Sequence, residues 1–233
     1  LGIIGIALGT ALLPHLARLY ANGEKKEMQK SLSNSLHLGW FFTIPAATAL
    51  IIISPLIISG IFGYGAFDEV DVRATADALV AYAIGLPAFV AQKLFQSVFF
   101  ASNRPSVILK VSFITVFANI ILSIILMQFI GHVGLALGTS ISIWFGTLYL
   151  SYLLMKEGYL ILDSFNCFLP IFIFCMLMGS LLALLESWLN KTQLLDIHVL
   201  GILVIFGMCF YFGIAFFGGF LPAGLLNSKV AKH

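Results

Sequence analysis

The sequence predicts an all-α membrane protein, a polytopic helix bundle of about seven transmembrane helices, from its composition and the length of its apolar runs. Of its 233 residues, 61% are hydrophobic and only 9% are charged, and the mean hydropathy is +1.06. Soluble domains carry about 25% charged residues, because a folded chain must cover its exterior with polar groups. This composition excludes a soluble enzyme and a disordered chain. The net charge of +2 gives no reason to expect a nucleic-acid partner.

Seven apolar stretches reach or approach the roughly 20 residues that a helix needs to cross a bilayer. They lie at 1–18, 36–60, 78–102, 106–130, 133–155, 166–188 and 197–219. Transmembrane strands are disfavoured, because these runs are long and do not alternate. The first stretch is already apolar at Leu1, which is not Met, so we expect an N-terminal portion of the protein to precede it.

Basic residues are distributed unevenly between the two ends of the predicted spans. Nine follow the first, third and fifth spans or lie in the tail, namely Arg18, Lys25, Lys26, Lys30, Arg104, Lys110, Lys156, Lys229 and Lys232. The opposite side has Arg73, Lys191 and an acidic loop at 64–77. Since cytoplasmic loops are enriched in Lys and Arg, we expect a cytoplasmic C-terminus, an outer start at Leu1 and at least one further span upstream.

No motif for covalent chemistry, nucleotide binding or metal binding is found. A G-x-x-x-x-G-K-[ST] loop is absent, as are the paired acidic residues that a Mg²⁺-dependent enzyme acting on polyprenyl phosphates would need. The histidines are scattered, and Cys167, Cys175 and Cys209 lack zinc or redox spacing. We therefore predict no catalytic residue, no metal ion and no cofactor.

Lys93 lies near the middle of the third predicted span, where a lysine costs about 2.5–3.5 kcal/mol. Gln92, Gln96 and Ser97 extend a polar stripe along the same helix. Two roles fit Lys93. It can contact an anionic ligand in a cavity, or it can be a structural lysine that extends toward the cytoplasmic surface or bonds to neighbouring carbonyl groups.

Asn119 lies on one face of the fourth predicted span with Thr115 and Ser123, at steps of four residues. Such a face can form interhelical hydrogen bonds, or it can line a cavity. We name Asn119, with Lys93, Gln92 and Gln96, as a candidate cavity residue.

Two related segments, GIALGT at 5–10 and GLALGT at 134–139, begin predicted spans that run in the same direction. Each contains two glycines four residues apart, a spacing that allows close approach of helices. The candidate packing residues are Gly5, Gly9, Gly134 and Gly138. The repetition suggests an internally repeated bundle, an architecture that many transporters use.

Prolines interrupt the second and third predicted spans. Pro45 and Pro55 lie in the second span, and Pro87 lies in the third, two residues after Gly85. Proline removes a backbone hydrogen bond and bends a helix. We therefore name Pro45, Gly85 and Pro87 as hinge candidates.

Several segments within residues 1–155 follow one another in an order and spacing that resemble a known family. GIALGTALLPHLAR at 5–18 resembles G-x-A-x-x-T-x-x-L-P-x-L-[SA]-R. TADAL at 75–79 and YAIGLPAF at 82–89 resemble T-A-x-A-L and Y-x-x-G-L-P-A-F, and Lys93 followed by FFA continues the pattern. The chain is thus similar to the MurJ/MviN lipid II flippases. It departs from them at 102–105, where the turn is shorter and lacks the usual Asp and Thr residues.

The resemblance implies the C-terminal half of a fourteen-helix protein of the multidrug/oligosaccharidyl-lipid/polysaccharide exporter superfamily. Residues 1–155 would form five helices of the second transporter lobe, truncated at the N-terminus. Residues 156–222 would add two helices that form a groove for a lipid tail, and 223–233 would be a cytoplasmic tail. The implied location is the bacterial cytoplasmic (inner) membrane, and the implied partners are the bilayer and the missing N-terminal half.

The implied activity is alternating-access movement of lipid II, the lipid-linked peptidoglycan precursor, from the inner to the outer leaflet. Its headgroup is attached to an undecaprenyl-pyrophosphate type of carrier, so Lys93 would pair with the pyrophosphate and the other three candidates would line the cavity. Three alternatives stay open: a sister exporter of drugs or polysaccharide lipids, a non-transporting membrane scaffold, and a membrane enzyme that acts on polyprenyl phosphates.

Overall fold

The computed structural model of the chain describes residues 2–161, 168–189 and 195–218. These residues form eight α-helices and contain no strand, so the predicted all-α fold class is confirmed. The helices are α1 Gly2–Ala21, α2 Lys25–Ile52, α3 Ser54–Phe62, α4 Glu69–Ala101, α5 Pro105–Ile130, α6 His132–Lys156, α7 Phe168–Leu189 and α8 Asp196–Phe217.

Six of these helices, α2 and α4 to α8, are long and apolar enough to cross a membrane. This confirms the predicted multi-pass membrane protein. The first predicted span is helix α1, which is not among these six. Lys191, Lys229, Lys232, Cys167 and the predicted tail at 223–233 lie outside the described residues.

The apolar run predicted as the second span at 36–60 contains parts of two helices. Helix α2 begins at Lys25, eleven residues before the apolar run, since the preceding Lys, Glu, Gln and Met residues favour a helix although they are not all apolar. Its last residue is Ile52. Pro55 then occupies the first turn of α3, where a missing backbone N–H is tolerated, and so begins a helix rather than bending one.

The acidic segment predicted as a loop at 64–77 is mostly helical, which corrects that expectation. Asp68 caps the start of α4, and its Oδ1 accepts hydrogen bonds from the backbone N–H of Val70 at 2.9 Å and of Asp71 at 3.0 Å. The side chain of Asp71 accepts in return from the Asp68 backbone N–H, which completes a capping box. The helix can therefore begin at Glu69, before the apolar run.

Helix α4 occupies the centre of the bundle and packs against α1, α2, α3 and α6. Helix α5 packs chiefly against α6, while α7 packs against α2 and α8, and α8 also contacts α3. The core lies where these helices meet, and it includes the fully buried Leu16, Leu36, Leu94, Phe95 and Leu150.

The α1–α2 turn, the α4–α5 turn and the end of α6 share one end of the bundle, which we call the basic end. Arg104 forms an ion pair of 2.7 Å with Glu157, and Gln29 donates a 2.5 Å hydrogen bond to the Gly158 carbonyl. Lys25 Nζ lies 5.2 Å from the ring centroid of Tyr159, whose pKa is raised mainly by burial. The phenol is thus neutral at physiological pH, and the ammonium group faces an uncharged ring.

At the opposite end, the turn between α5 and α6 meets the start of α4. His132 Nε2 lies 2.9 Å from the carbonyl oxygen of Ala74. Helices α1, α2, α4, α5 and α6 therefore alternate in direction, as the positions of the basic residues predicted.

Candidate substrate-binding site

Lys93 lies on α4 with its side chain half-buried, and its ammonium group is directed away from the basic end. Its Nζ is 5.4 Å from the ring centroid of Phe89, one turn earlier on the helix. No carboxylate of the described residues lies within ion-pair distance of Lys93. This geometry does not match a lysine that extends toward the basic end, and no ion pair among the described residues neutralises its charge. Its contact with an anionic ligand stays a prediction.

Helix α1 crosses α4 closely at the level of Lys93. A Cβ atom at Gly9 would lie 3.3 Å from the backbone oxygen of Lys93, and one at Gly5 would lie 2.9 Å from Cγ2 of Val90. The candidate packing residues Gly5 and Gly9 thus lie where the two helices touch. Larger side chains there would force α1 away from the lysine.

Gln92 is buried and lies on a different side of α4 from Lys93. Its Nε2 would be 3.1 Å from a Cβ atom at Gly146 of α6, and Thr115 of α5 approaches the same point. Gln96 is half-buried, one turn beyond Lys93. The structure therefore places Gln96 on the face of α4 that carries Lys93, while Gln92 lies between helices.

Asn119 lies where α5 meets α6. Its Oδ1 accepts hydrogen bonds from Ser123 Oγ at 3.0 Å and from Thr139 Oγ1 at 3.4 Å. Of the two roles open to Asn119, this geometry fits the interhelical hydrogen bond. Its role as a cavity residue stays a prediction.

The second pair of packing glycines contacts α5. A Cβ atom at Gly138 would lie 2.7 Å from Ser123 Oγ and 2.9 Å from the Ser123 backbone nitrogen. A Cβ atom at Gly134 would overlap the Leu126 carbonyl group. The two copies of the repeated segment thus pack against different neighbours, α4 for the first and α5 for the second.

The hinge candidates Gly85 and Pro87 lie inside a helix that stays continuous around them, as does Pro45 in α2. Side chains of α6 donate to carbonyl groups of α4 on both sides of Pro87. Ser140 bonds to Ala81 at 2.6 Å, Trp144 to Ile84 at 2.9 Å and Thr147 to Ala88 at 3.0 Å. We call this set the α4–α6 seam.

The sequence did not predict the α4–α6 seam. Its three donors, Ser140, Trp144 and Thr147, are four and three residues apart and so lie on one face of α6. Polar side chains of a neighbouring helix commonly accompany a proline inside a membrane helix, because they hydrogen-bond to backbone groups near the break. Gly85 has a packing role beside it, since a Cβ atom there would lie 2.7 Å from Ser140 Oγ. A hinge at these positions stays a prediction.

An apolar groove of about 380 Å³ lies between α2 and α3 on one side and α7 and α8 on the other. It is lined by Phe41, Phe42, Pro45, Ala46, Ala49, Leu50, Ile53, Ile57, Met178, Leu182, Leu203, Val204, Gly207, Met208, Tyr211 and Phe212. The break between α2 and α3 contributes Ile53 and Ile57 to its wall. Helices α7 and α8, predicted to form a lipid-tail groove, supply only part of the lining.

These features define a multi-pass membrane protein with two separate surfaces. One is the polar face of α4 with Lys93 and Gln96, and the other is the apolar groove between α2, α3, α7 and α8. The profile of the family described as "Lipid II flippase MurJ" matches residues 1–204. The chain therefore belongs to the MurJ lipid II flippase family, and the resemblance seen in its motifs is confirmed.

Two relatives and one solved structure illustrate this membership. A probable lipid II flippase MurJ of Rickettsia prowazekii (strain Madrid E) is 32% identical over 224 residues, which cover 93% of this chain and 44% of the relative. That of Rhizobium tropici is 29% identical over the whole chain and 45% of its own length. A structure of lipid II flippase MurJ in an inward closed conformation superposes with a TM-score of 0.75 at 26% identity, covering 94% of this chain and 44% of that one. The chain thus spans somewhat less than half the length of the relatives it matches.

Proposed function

We propose that this chain forms part of a flippase that moves lipid II from the inner to the outer leaflet of the bacterial cytoplasmic membrane by alternating access. The proposal rests on the family match over residues 1–204. It is supported by the separation of the polar face of α4 from the apolar groove, because the substrate has a polar headgroup and an apolar tail. Transport of this kind requires no covalent chemistry from the chain.

In this proposal, residues 1–155 are helices of one transporter lobe, and 156–222 complete the groove for the isoprenoid tail. The groove keeps the tail in an apolar environment while the headgroup crosses, which avoids the cost of moving the headgroup through hydrocarbon. Lys93 pairs with the pyrophosphate, because it is a half-buried cation without a carboxylate partner among the described residues. Gln96 extends the same polar face.

The basic end faces the cytoplasm in this proposal, and the C-terminus lies on the same side. The support is the excess of Lys and Arg at that end of the bundle. An inside-negative membrane potential then favours outward movement of the anionic headgroup, by about 2.3 kcal/mol per charge per 100 mV.

The test is lipid II translocation by a chimera in which this chain replaces the matched segment of the Rickettsia prowazekii relative. The chimera is produced in bacteria depleted of their own flippase, and lipid II that reaches the outer leaflet is measured. We expect translocation by the chimera and a loss of at least about tenfold for Lys93→Ala, with partial recovery for Lys93→Arg, because the charge is retained.

The matched control is Lys110→Ala, which removes an exposed lysine near the basic end and should leave translocation unchanged. Normal translocation by Lys93→Ala at equal protein level would remove Lys93 from the mechanism. Export of a drug or a polysaccharide lipid, without lipid II translocation, would favour the sister-exporter alternative.

A further inference from the structure

Helix α1 exposes a face that differs from the lipid-facing surfaces elsewhere in the bundle. Its exposed residues include Thr10, Ala11, Pro14, His15 and Arg18, which are small or polar. By contrast, α5 exposes large apolar side chains, among them Phe113, Val116, Phe117, Ile120 and Ile124. The same helix also exposes Ile6 and Tyr20, so its polar character is concentrated near the basic end. Arg18 lies there in the last turn of α1, where its charged head can stay in water.

On this face, three side chains form a continuous hydrogen-bonded chain between α1 and α2. A terminal guanidinium nitrogen of Arg18 lies 3.4 Å from His15 Nδ1, and His15 Nε2 lies 3.2 Å from Ser31 Oγ. Because the guanidinium group can only donate, Nδ1 accepts, and the ring proton is on Nε2 and is donated to Ser31. The imidazole therefore holds the guanidinium group in place without neutralising its charge.

Arg18 differs from the other two arginines of the sequence in having no carboxylate partner among the residues that the structure describes. Arg104 pairs with Glu157 at 2.7 Å, and Arg73 lies 3.9 Å from Glu69. Glu24, near the end of α1, accepts a hydrogen bond from Asn22 instead. Within the described residues, the only side-chain partner of Arg18 is His15, and a guanidinium group with one such partner has further N–H donors to offer an anion.

The position of Arg18 relates it to the first candidate site. Helix α1 touches Lys93 through Gly9, and Arg18 follows nine residues later, about 13 Å further toward the basic end. Arg18 on α1 and Lys93 on the neighbouring α4 thus lie at different depths, and neither has a carboxylate partner among the described residues. A headgroup that enters from the basic end would meet Arg18 before Lys93.

We propose that Arg18, His15 and Ser31 form a second anion site, which binds the phosphate groups of a lipid headgroup at the basic end of the bundle. Arginine suits this ligand, because its planar fork matches two phosphate oxygens. His15 holds the guanidinium group through Nδ1 in the free chain, while its Nε2 proton is donated to Ser31. The inference rests on the proposed function for the identity of the lipid, but the site itself is defined by these three residues.

The experiment measures binding of farnesyl pyrophosphate and of inorganic pyrophosphate to the full 233-residue chain in nanodiscs of zwitterionic lipid. We expect Arg18→Gln to weaken binding of farnesyl pyrophosphate at least about tenfold, and His15→Ala to weaken it less. Arg104→Gln, which removes a paired arginine at the same end, should leave binding within twofold of the unmodified chain. A second readout is the ¹⁵N chemical shift of His15 Nδ1, which should move on addition of ligand because the guanidinium group that donates to it then binds phosphate.

The outcomes separate this inference from the role proposed for Lys93. Loss of binding in Arg18→Gln but not in Lys93→Ala supports the second site, and the reverse result overturns it while leaving Lys93 in place. Equal Arg18-dependent binding of both probes supports a site for free pyrophosphate and overturns its assignment to a lipid. An unmodified chain that binds neither probe, or an Nδ1 shift that does not change, overturns the site altogether.

Discussion

At the scale of single residues, glycines determine how closely the helices approach, because they have no side chain to keep two backbones apart. Gly9 brings α1 against the backbone of Lys93, and Gly138 brings α6 against Ser123. The sequence predicted this use of small residues from their spacing. It could not predict the partners, because a glycine pair marks a face of one helix and carries no information about the helix that packs on it.

Gly138→Ala should therefore destabilise the chain. The new Cβ atom would lie 2.9 Å from the Ser123 backbone nitrogen, so α5 would have to move, and overpacking of this kind costs about 1–3 kcal/mol. The measurement is the thermal unfolding temperature of the purified chain in detergent. The control is Gly213→Ala in α8, where no atom lies within 4 Å and where alanine favours the helix. Equal unfolding temperatures for the two variants would contradict this account.

At the scale of helices, the break between α2 and α3 shapes the apolar groove. A continuous helix over 36–60 would direct Ile53 and Ile57 differently, whereas the break places both in the groove wall. Hydropathy alone could not reveal this, because the run stays apolar across the break. Pro55 was the only indication, and a proline inside an apolar run can either bend a membrane helix or begin a new one.

Filling the groove should impair translocation in the chimera without unfolding it. Ala46→Trp places a large ring among the groove-lining residues, so we expect it to exclude the lipid tail and reduce lipid II translocation several-fold. Val116→Trp is the matched control, since Val116 is 57% exposed on α5 and away from the groove. Full activity of Ala46→Trp at normal protein level would argue that the groove does not hold the tail.

At the scale of the whole molecule, contacts at the two ends show how the helices alternate. At the basic end, Arg104 before α5 forms an ion pair with Glu157 after α6. At the opposite end, His132 of α6 is within hydrogen-bond distance of the Ala74 carbonyl oxygen of α4. Which end faces the cytoplasm stays a prediction from the excess of basic residues. This orientation is a property of the whole molecule, because the helices are packed together and must all be inserted in the membrane the same way round.

Cysteine labelling in intact cells tests this orientation. Single cysteines at Asn22 and Asn103 mark the basic end, and single cysteines at Gly65 and Gly131 mark the other, in a chain whose own three cysteines are replaced. A membrane-impermeant maleimide should label positions 65 and 131 directly and positions 22 and 103 only after the membrane is opened. The opposite pattern would show that the basic end faces outward. Arg18 would then lie on the outer side and could not bind a headgroup that enters from the cytoplasm.

The sequence by itself determined the membrane class, the helical fold, the approximate spans and the family, because hydropathy, composition and ordered motifs are local properties of the chain. Only the tertiary structure decided the direction of the Lys93 ammonium group, the walls of the groove, the α4–α6 seam and the link between Arg18, His15 and Ser31. Each of these depends on which residues of separate helices lie together. In so uniformly apolar a chain, hydropathy places residues in the membrane but does not select their neighbours.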